Sequence, residues 1–465
     1  MSFENTGRDW CAAMVLVALA PAAWGGAAVS VPQPGALLPL EHAVALAQQH
    51  DPWLVGNRLA QQSVEAASVA AGALPDPKVA VGFMNLPTDT FDFNQEPMTQ
   101  FSVGLSQSFP RGSSLKLRRQ QLALQAEQYP LQRQERLARI EVMVSELWLE
   151  LYKTRGSIAL IDQNRVHFEQ LVDVAMSSYA AAVRRMRQQD VIRAELELTR
   201  LADRLTVLEE RGQTMAQDLG KWLGESGSAG FGAAGAGIPG LGRALPDTAL
   251  RDPRWVEGGA PPDRQLLGQY LLGHPAIAML DKKIEATGTG IDLARQKYKP
   301  EWGVAASYGY RDDDPTGARR ADFFSVGVTL DVPLFTANRQ DRELQAAVAD
   351  AESVKSEKWL ALRDMVAAFE SARAQYRTLG ERQRLYRQRL LPQMHQQAEA
   401  ALSAYTSAEG DFAEVARARI AELSALIDAL GIDVERQKVI ARLNYFFVHR
   451  DPGAATVADG PRTEP

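Results

Sequence analysis

Two short stretches of this chain are nearly the same: FSVGLSQSFP at 101–110 and FSVGVTLDVP at 324–333. In each stretch large apolar residues alternate with small or polar ones, which is the pattern of a β-strand with two different faces. Each stretch ends at a proline, Pro110 or Pro333, which cannot donate a hydrogen bond to a neighbouring strand. The sequence therefore predicts two equivalent strands that stop at these prolines.

The residues around the two strands also follow one order in both halves of the chain. A helix is predicted first, then a strand, then the FSVG strand, and then long helical segments. We expect helices at about 40–73 and 264–297, and strands at about 78–86, 100–109, 301–310 and 322–332. A motif is echoed too, since His50-Asp51-Pro52 corresponds to His274-Pro275. The chain is thus predicted to be a duplicated helix–strand–strand–helix–helix repeat, mainly α with a β portion.

Five segments divide the chain in this interpretation. They are a signal peptide at 1–28, a first repeat at 40–223, a Gly- and Pro-rich linker in an equatorial region at 224–262, a second repeat at 263–449 and a disordered tail at 450–465. The one cysteine, Cys11, falls in the signal peptide. The exported chain is therefore expected to carry no thiol and no lipid anchor.

The long helical segments carry apolar residues in steps of three and four, the heptad pattern of helices that pack side by side. The helix predicted over about 112–177 would be roughly 100 Å long at 1.5 Å per residue. Pro130 and Pro392 interrupt the pattern and are expected to bend or break their helices. The seam positions are Leu137, Ile140, Val144, Leu147, Leu151, Val191, Ala194, Leu198, Leu201, Leu205 and Leu208 in the first repeat, and Trp359, Leu362, Val366, Phe369, Ile420, Leu423, Ile427, Leu430 and Val434 in the second.

One face of the predicted strands is continuously apolar and the other is small and polar. Val103 and Leu105, for example, alternate with Ser102 and Gly104. This pattern suits a membrane strand between lipid and water, and it also suits an antiparallel sheet with one buried face. Export favours the membrane interpretation. Because four strands cannot close a barrel and open edges are not tolerated in lipid, we expect three copies to share twelve strands.

From about Leu40 to Val448, the sequence resembles the TolC family of outer-membrane channel proteins. The resemblance is carried by the duplicated plan and by five segments: LPDPKVAVGF at 74–83, FSVGLSQSFPRGSSLKLRRQ at 101–120, QQDVIRAELEL at 188–198, FSVGVTLDVPLFTANRQ at 324–340 and AYTSAEGDFAEV at 404–415. It implies a homotrimer with a twelve-stranded barrel in the outer membrane and an α-helical coiled-coil tunnel in the periplasm. It also implies two partners, a periplasmic adaptor and an inner-membrane efflux pump, for which the channel is the passive exit duct.

The resemblance also suggests a cargo. LPDPK, together with NLPTDTFDFNQEPMTQ at 85–100, is most similar to family members that work with metal-ion efflux pumps. Heavy-metal ions or small toxic compounds are therefore the expected cargo.

In the family, the helix–helix turns at the periplasmic tip form a gate held shut by polar links. The corresponding turns here lie near 180–191 and 404–415. The candidate gate residues are Asp190, Tyr405 and Asp411, with Arg184, Arg185 and Arg187 as cationic partners. The alternative is that these charged residues simply belong to a turn exposed to solvent. The first turn departs from the family pattern, because it has Ala182-Val183-Arg184-Arg185 where the family usually carries glycine.

The sequence shows no chemistry of an enzyme. It has no GxxxxGK[ST] loop and no GxSxG elbow, and its histidines are scattered, so no catalytic residue, cofactor or metal site is expected. The net charge of −6 gives no reason to expect nucleic-acid binding. The leading hypothesis is an outer-membrane channel subunit of a tripartite efflux system. The alternative is a periplasmic coiled-coil adaptor of an efflux or type I secretion complex.

Overall fold

The computed structural model of the chain describes residues 38–180, 188–228, 241, 244–258, 262–407 and 409–449. Its elements, in chain order, are α1 (Leu40–His50), α2 (Pro52–Ala71), β1 (Lys78–Met84), β2 (Gln100–Phe109), α3 (Ser114–Ala126), α4 (Gln128–Ala180), α5 (Gln188–Ser228), α6 (Pro253–Val256), α7 (Arg264–Leu271), α8 (Pro275–Gln296), β3 (Glu301–Tyr310), β4 (Phe323–Asp331), α9 (Gln340–Leu385), a π-helical turn (Tyr386–Leu390), α10 (Leu391–Thr406) and α11 (Phe412–Tyr445). The duplicated order predicted from the sequence is confirmed.

The four strands form one antiparallel sheet in the order β1-β2-β3-β4. The central pair, β2 and β3, comes from different repeats, so the two halves of the chain build a single sheet. Val81 lies opposite Val103, which lies opposite Tyr308, which lies opposite Phe324. Directly opposite residues share a face of an antiparallel sheet, so these four side chains form one row across it.

The helical segment that leads into each pair of strands is divided at the echoed motif. Asp51 separates α1 from α2 and accepts a hydrogen bond from the Trp53 amide at 3.2 Å. His274 precedes α8 in the same way and accepts from the Ala276 amide at 3.2 Å. In both repeats a proline follows at the first helical position, where its missing N–H costs nothing. The echo of His50-Asp51-Pro52 in His274-Pro275 is therefore an N-cap at equivalent places.

The long helices are interrupted close to the two prolines that the sequence singled out. The first interruption, at Glu127, separates α3 from α4 just before Pro130. In the second repeat the π-helical turn precedes Pro392, and its Leu391 amide bonds to the carbonyl of Tyr386, five residues back. Such a bulge accommodates a residue that cannot donate to the helix ladder.

The heptad seams are buried between neighbouring helices. α4 packs against α5 and α11, and Ile140, Val144 and Leu151 are fully buried there. Nearer the sheet, α2 packs on α3, α3 on α8 and α8 on α9, forming one layer. Trp359 is the exception within a single chain, where it is 65% exposed and the buried side of α9 at this level carries Leu362.

The part of the predicted linker that the structure describes is packed. Gly224 has φ 70° and ψ 178°, which ends the regular geometry of α5, and a Cβ there would lie 3.0 Å from the His50 ring. Further on, the amide of Arg251 donates to Asn444 Oδ1 at 2.8 Å, and the side chain of Asn444 donates to the Ala249 carbonyl at 2.9 Å. Residues 244–258 are thereby tied to α11.

Some predictions fall on residues outside the described ranges. They are the signal peptide at 1–28 with Cys11, the tail at 450–465, and parts of the 224–262 segment. Within the described ranges, no helix combines the length and the apolar character needed to cross a bilayer.

Candidate functional site

The sheet carries a broad apolar face that no other element of the described part of the chain covers. Its rows are set by the strand register: Phe83, Phe101 and Tyr310; Val81, Val103, Tyr308 and Phe324; Val79, Leu105, Ala306 and Val326; Gln107, Val304 and Val328; and Phe109, Trp302 and Leu330. Phe324 and Val326 are 71% and 64% exposed. A large contiguous apolar surface of this kind marks contact with a membrane or a partner.

The opposite face of the sheet carries small and polar side chains. Across its middle, Ala80, Gly104, Ser307 and Ser325 lie side by side. Such a face suits water rather than lipid. The face assignment made from the alternation in the sequence therefore holds across the whole sheet.

Each outer strand is paired on one side only. Within the described residues, β1 pairs with β2 and β4 pairs with β3, and no other strand continues the sheet. Unpaired N–H and C=O groups of an edge strand are costly in an apolar medium. The sheet of a single chain therefore has an apolar face that is not covered and two edges that are not paired.

The two loops at one end of the sheet hold each other. Arg311 stands over the Phe323 ring, with its guanidinium carbon 3.9 Å from the ring centroid, and donates to the Pro97 carbonyl at 3.0 Å. Arg320 donates to the Asn94 carbonyl at 3.3 Å. The loops at 85–99 and 311–322 are thus connected across the β2–β3 junction, so they form one cap above the sheet.

At the opposite end of the helices, a small apolar cluster closes the tip. Tyr405 is only 3% exposed, and its ring meets that of Phe412 edge-on at 5.7 Å. Leu171, Ala194 and Val415 complete the cluster, so α4, α5, α10 and α11 all contribute. The structure therefore places Tyr405 between the helices of its own chain, where it fixes the α10–α11 turn.

Two further residues, Asp411 and Gly410, have structural roles in the turn between α10 and α11. Asp411 is the N-cap of α11 and accepts from the Ala413 amide at 3.3 Å. The amide of Gly410 bonds to the Ala404 carbonyl at 2.9 Å, and a Cβ on Gly410 would lie 2.9 Å from the Tyr405 nitrogen. This close approach of two backbone segments requires glycine at position 410.

The remaining gate candidates are not brought together by the described part of the chain. Asp190 lies in the first turn of α5, and its side chain is not described. Arg184, Arg185 and Arg187 lie outside the described residues. The gate assignment stays a prediction from the resemblance.

A polar link just above the tip was not predicted. The buried side chain of Arg419 donates to Glu399 Oε1 at 2.6 Å and to Glu422 Oε2 at 2.9 Å, and His395 Nδ1 lies 2.7 Å from the other oxygen of Glu422. The hydrogen bond from Arg419 lowers the pKa of Glu399. The only signal in the sequence is the Arg419–Glu422 spacing of three, which is common on solvated helices. No group of three or more His, Cys, Asp or Glu in the described residues is arranged to hold a metal ion.

The comparisons with known proteins agree with this geometry. Residues 266–444 match the family model described as outer membrane efflux protein. Among solved structures, VceC of Vibrio cholerae is 13% identical with a TM-score of 0.70, covering 88% of this chain and 96% of that one. CmeC of Campylobacter jejuni is 10% identical (TM-score 0.70, covering 88% and 85%), and the open state of MtrE of Neisseria gonorrhoeae is 13% identical (TM-score 0.67, covering 88% and 89%). No curated protein sequence gives a significant match.

The fold is thus that of the outer-membrane channels. Residues 266–444 carry the outer membrane efflux protein domain. This domain and the shared fold together make the chain a passive efflux channel component of the outer membrane, with its helical part in the periplasm, and not an enzyme. The family model covers the second repeat, and the first repeat joins it through the shared sheet.

Proposed function

We propose that three copies of the chain share one twelve-stranded barrel, with the β4 edge of each copy pairing with the β1 edge of the next. The observation that carries this proposal is the exposed apolar face of a sheet with two open edges. Closure between copies would satisfy the edge hydrogen bonds, and lipid would cover the apolar face. The small and polar face would line a water-filled pore.

Below the sheet, the helices would form the wall of a periplasmic tunnel. The layer of α2, α3, α8 and α9 in each copy would continue the barrel, and α4, α5, α10 and α11 would continue to the tip. Such a conduit has no energy source of its own. An inner-membrane pump would therefore drive transport, and a periplasmic adaptor would connect the pump to the tip. Co-purification of the chain with adaptor and pump from cross-linked cells tests this assembly, and its repeated absence would contradict it.

The cargo proposed is a heavy-metal ion or a small toxic compound. The support is the similarity of the segments at 74–78 and 85–100 to family members that serve metal-ion pumps. Deletion of the gene should lower the metal concentration that cells tolerate, and the intact gene should restore it. If tolerance of metals and of small toxic compounds were both unchanged, the cargo assignment would be lost.

The alternative function, a periplasmic adaptor, is disfavoured by the sheet. An adaptor has no use for an exposed apolar face five rows deep. Membrane fractionation separates the two functions. A channel subunit stays with the outer membrane in high salt and in carbonate, whereas an adaptor without an anchor is released.

The proposed gate has a direct electrical test. Replacing Asp190 by Asn and Tyr405 by Phe together should raise the single-channel conductance in planar bilayers, because polar links at the tip are lost. A Glu409→Gln substitution, in the same turn, serves as the control. Conductance that is unchanged by the double substitution would count against these residues as the lock.

A further inference from the structure

A cavity of about 340 Å³ lies where the sheet meets the helices. The ends of β2 and β3 form its roof, and α3, α8 and α9 of the same chain form its walls, with Arg118, Lys297, Arg339 and Gln340 among the lining residues. Its lining residues are distant in sequence from the tip, and none of them belongs to the proposed gate.

The cavity opens on the polar side of the sheet. Glu301 lines it and lies opposite Asp331 in the register, on the face that carries Gly303 and Thr329. Arg111 contacts both carboxylates, at 3.5 Å from Glu301 and closely at Asp331. The apolar residues Trp302 and Leu330 point the other way. If the sheet forms the proposed barrel, the cavity therefore faces the pore and not the lipid.

The charges around the cavity do not balance. Its carboxylates are engaged: Glu301 with Arg111, and Glu343 with Lys297 at 2.9 Å. Arg118 and Arg339 also line it, and neither forms an ion pair with any described residue. Two guanidinium groups thus remain to meet an anion, and guanidinium is the side-chain group best shaped for a carboxylate or a phosphate.

Two helices also begin at the cavity. α3 starts at Ser114 and α9 at Gln340, both residues line it, and neither helix has a side-chain N-cap. The N-terminal end of a helix carries partial positive charge and unpaired N–H groups, which favour an anion. The first turn of α3 holds no acidic residue to compensate. The first turn of α9 holds Asp341 and Glu343, which are engaged by the Tyr298 hydroxyl and by Lys297.

A buried amide in the cavity supplies independent evidence. Gln340 is 6% exposed, and its Oε1 is buried without a hydrogen-bond partner. A buried polar atom without a partner is costly. Rotation of the terminal amide by half a turn presents its N–H donors instead, so an oxyanion in the cavity would satisfy this group.

From these observations we infer that the cavity is an anion-binding site for a phosphate or carboxylate group carried by a soluble molecule in the pore. This inference deepens the proposed function and rests on it for the position of the site in the pore. It points to anionic or anion-complexed cargo, since three copies would place a ring of such sites where the tunnel meets the barrel. Of the cargo proposed above, this favours small anionic compounds and metals carried as anionic complexes over free metal cations, because each site holds two unpaired guanidinium groups.

Calorimetric titration of the purified full chain in detergent with inorganic phosphate tests the site. Wild-type protein should bind phosphate, and the double variant Arg118→Gln, Arg339→Gln should bind it at least about tenfold more weakly, since hydrogen bonds to charged groups are lost. The matched control is Arg342→Gln, whose guanidinium bonds to Gln345 outside the cavity. Equal phosphate affinity in wild type and double variant, or no binding by wild type, would overturn the inference.

A lipid phosphate could in principle be the natural ligand, and the test separates it. Phosphatidylglycerol retained after detergent extraction should be the same in wild type, double variant and Arg342→Gln. Selective loss from the double variant would instead assign the cavity to a lipid headgroup and overturn the assignment to a soluble anion.

The reversal potential in a salt gradient gives the matching functional readout. The anion-to-cation permeability ratio should fall severalfold in the double variant and stay unchanged in Arg342→Gln. An unchanged ratio in the double variant would contradict a site in the pore. Failure of every protein to form pores would instead contradict the proposed channel, while the titration with phosphate would still decide the site.

Discussion

At the residue scale, His274 shows how burial fixes a protonation state. The side chain is fully buried; Nδ1 accepts from the Ala276 amide at 3.2 Å, and Nε2 lies 3.1 Å from the Tyr445 carbonyl. This pattern needs a proton on Nε2 only, because a proton on Nδ1 would face the amide N–H. Burial lowers the pKa of His274 from 6.5 to about 4. The residue therefore acts as a neutral helix cap.

A loss of stability in mild acid follows from this pKa. The unfolded chain takes up a proton on His274 near pH 6.5, whereas the folded chain does so only near pH 4. The contribution to stability is complete above pH 6.5 and is lost as the pH falls to 4, by up to about 3 kcal/mol. Thermal unfolding in detergent at pH 7 and pH 5 measures it. The variant His274→Asn keeps a cap without the titration and should lose less stability between these pH values; an equal loss would contradict this account.

Arg419 is the residue on which the tip link depends. Its side chain is 8% exposed and bridges Glu399 and Glu422 across α10 and α11. Replacing Arg419 by Ala should destabilise the hairpin by about 1–3 kcal/mol, because Glu422 is left partly buried without its charged partner. Amide exchange should become faster in α10 and α11 but not in α2 or α3.

The control for this change is Arg417→Ala on the same helix. Arg417 is exposed and only donates to the Ala413 carbonyl of its own helix, so its loss should leave exchange nearly unchanged. If both variants exchanged alike, the bridge would not be the cause.

At the scale of the elements, the two faces of β4 give a matched pair of substitutions. Val326 lies on the apolar face and Ser325 on the polar face of the same strand. Val326→Lys should cost about 2–4 kcal/mol in lipid and reduce the protein recovered in the outer membrane, whereas Ser325→Lys should be tolerated. Immunoblots of fractionated membranes measure recovery. Equal recovery of the two variants would contradict lipid contact at this face.

The strands were the most predictable elements of the chain. Alternation with period two marks them without any knowledge of their partners, and β2 and β3 have the bounds expected from the sequence. β1 ends at Met84 and β4 spans Phe323–Asp331, within about two residues of expectation. The apolar pattern also predicted the long helices. Their interruptions were predicted near Pro130 and Pro392, but the form of each, a break or a π-helical turn, depends on packing.

The sites were less predictable than the fold. The Arg419 bridge and the cavity beside Gln340 join residues from two or three elements, and no spacing in the sequence links them. The gate candidates came from a resemblance and not from local pattern. The ring of Tyr405 is buried in the apolar cluster at the tip of its own chain. The polar role expected for Tyr405 from the resemblance did not predict this burial.

At the scale of the whole molecule, the duplicated repeat and the assembly of several copies both bear on how the sheet is completed. Each repeat supplies two strands. In the described part of the chain, β2 pairs with β3 at the centre of the sheet, whereas β1 and β4 each keep one unpaired edge. The echoed FSVG stretches occupy β2 at the centre of the sheet and β4 at one edge. A second and a third copy are the simplest means of closing such a sheet, since two repeats in one chain still leave β1 and β4 unpaired.

Disulfide cross-linking between the two edges tests this account most directly. In a Cys11→Ser background, Val81→Cys on β1 is combined in turn with cysteine at Phe324, Val326, Val328 or Leu330 on β4. A barrel shared by three copies predicts that at least one pair gives covalent dimers and trimers and nothing larger on a non-reducing gel, because three edges close a ring. Cross-linking confined to single chains, or a ladder extending beyond three copies, would contradict the shared barrel.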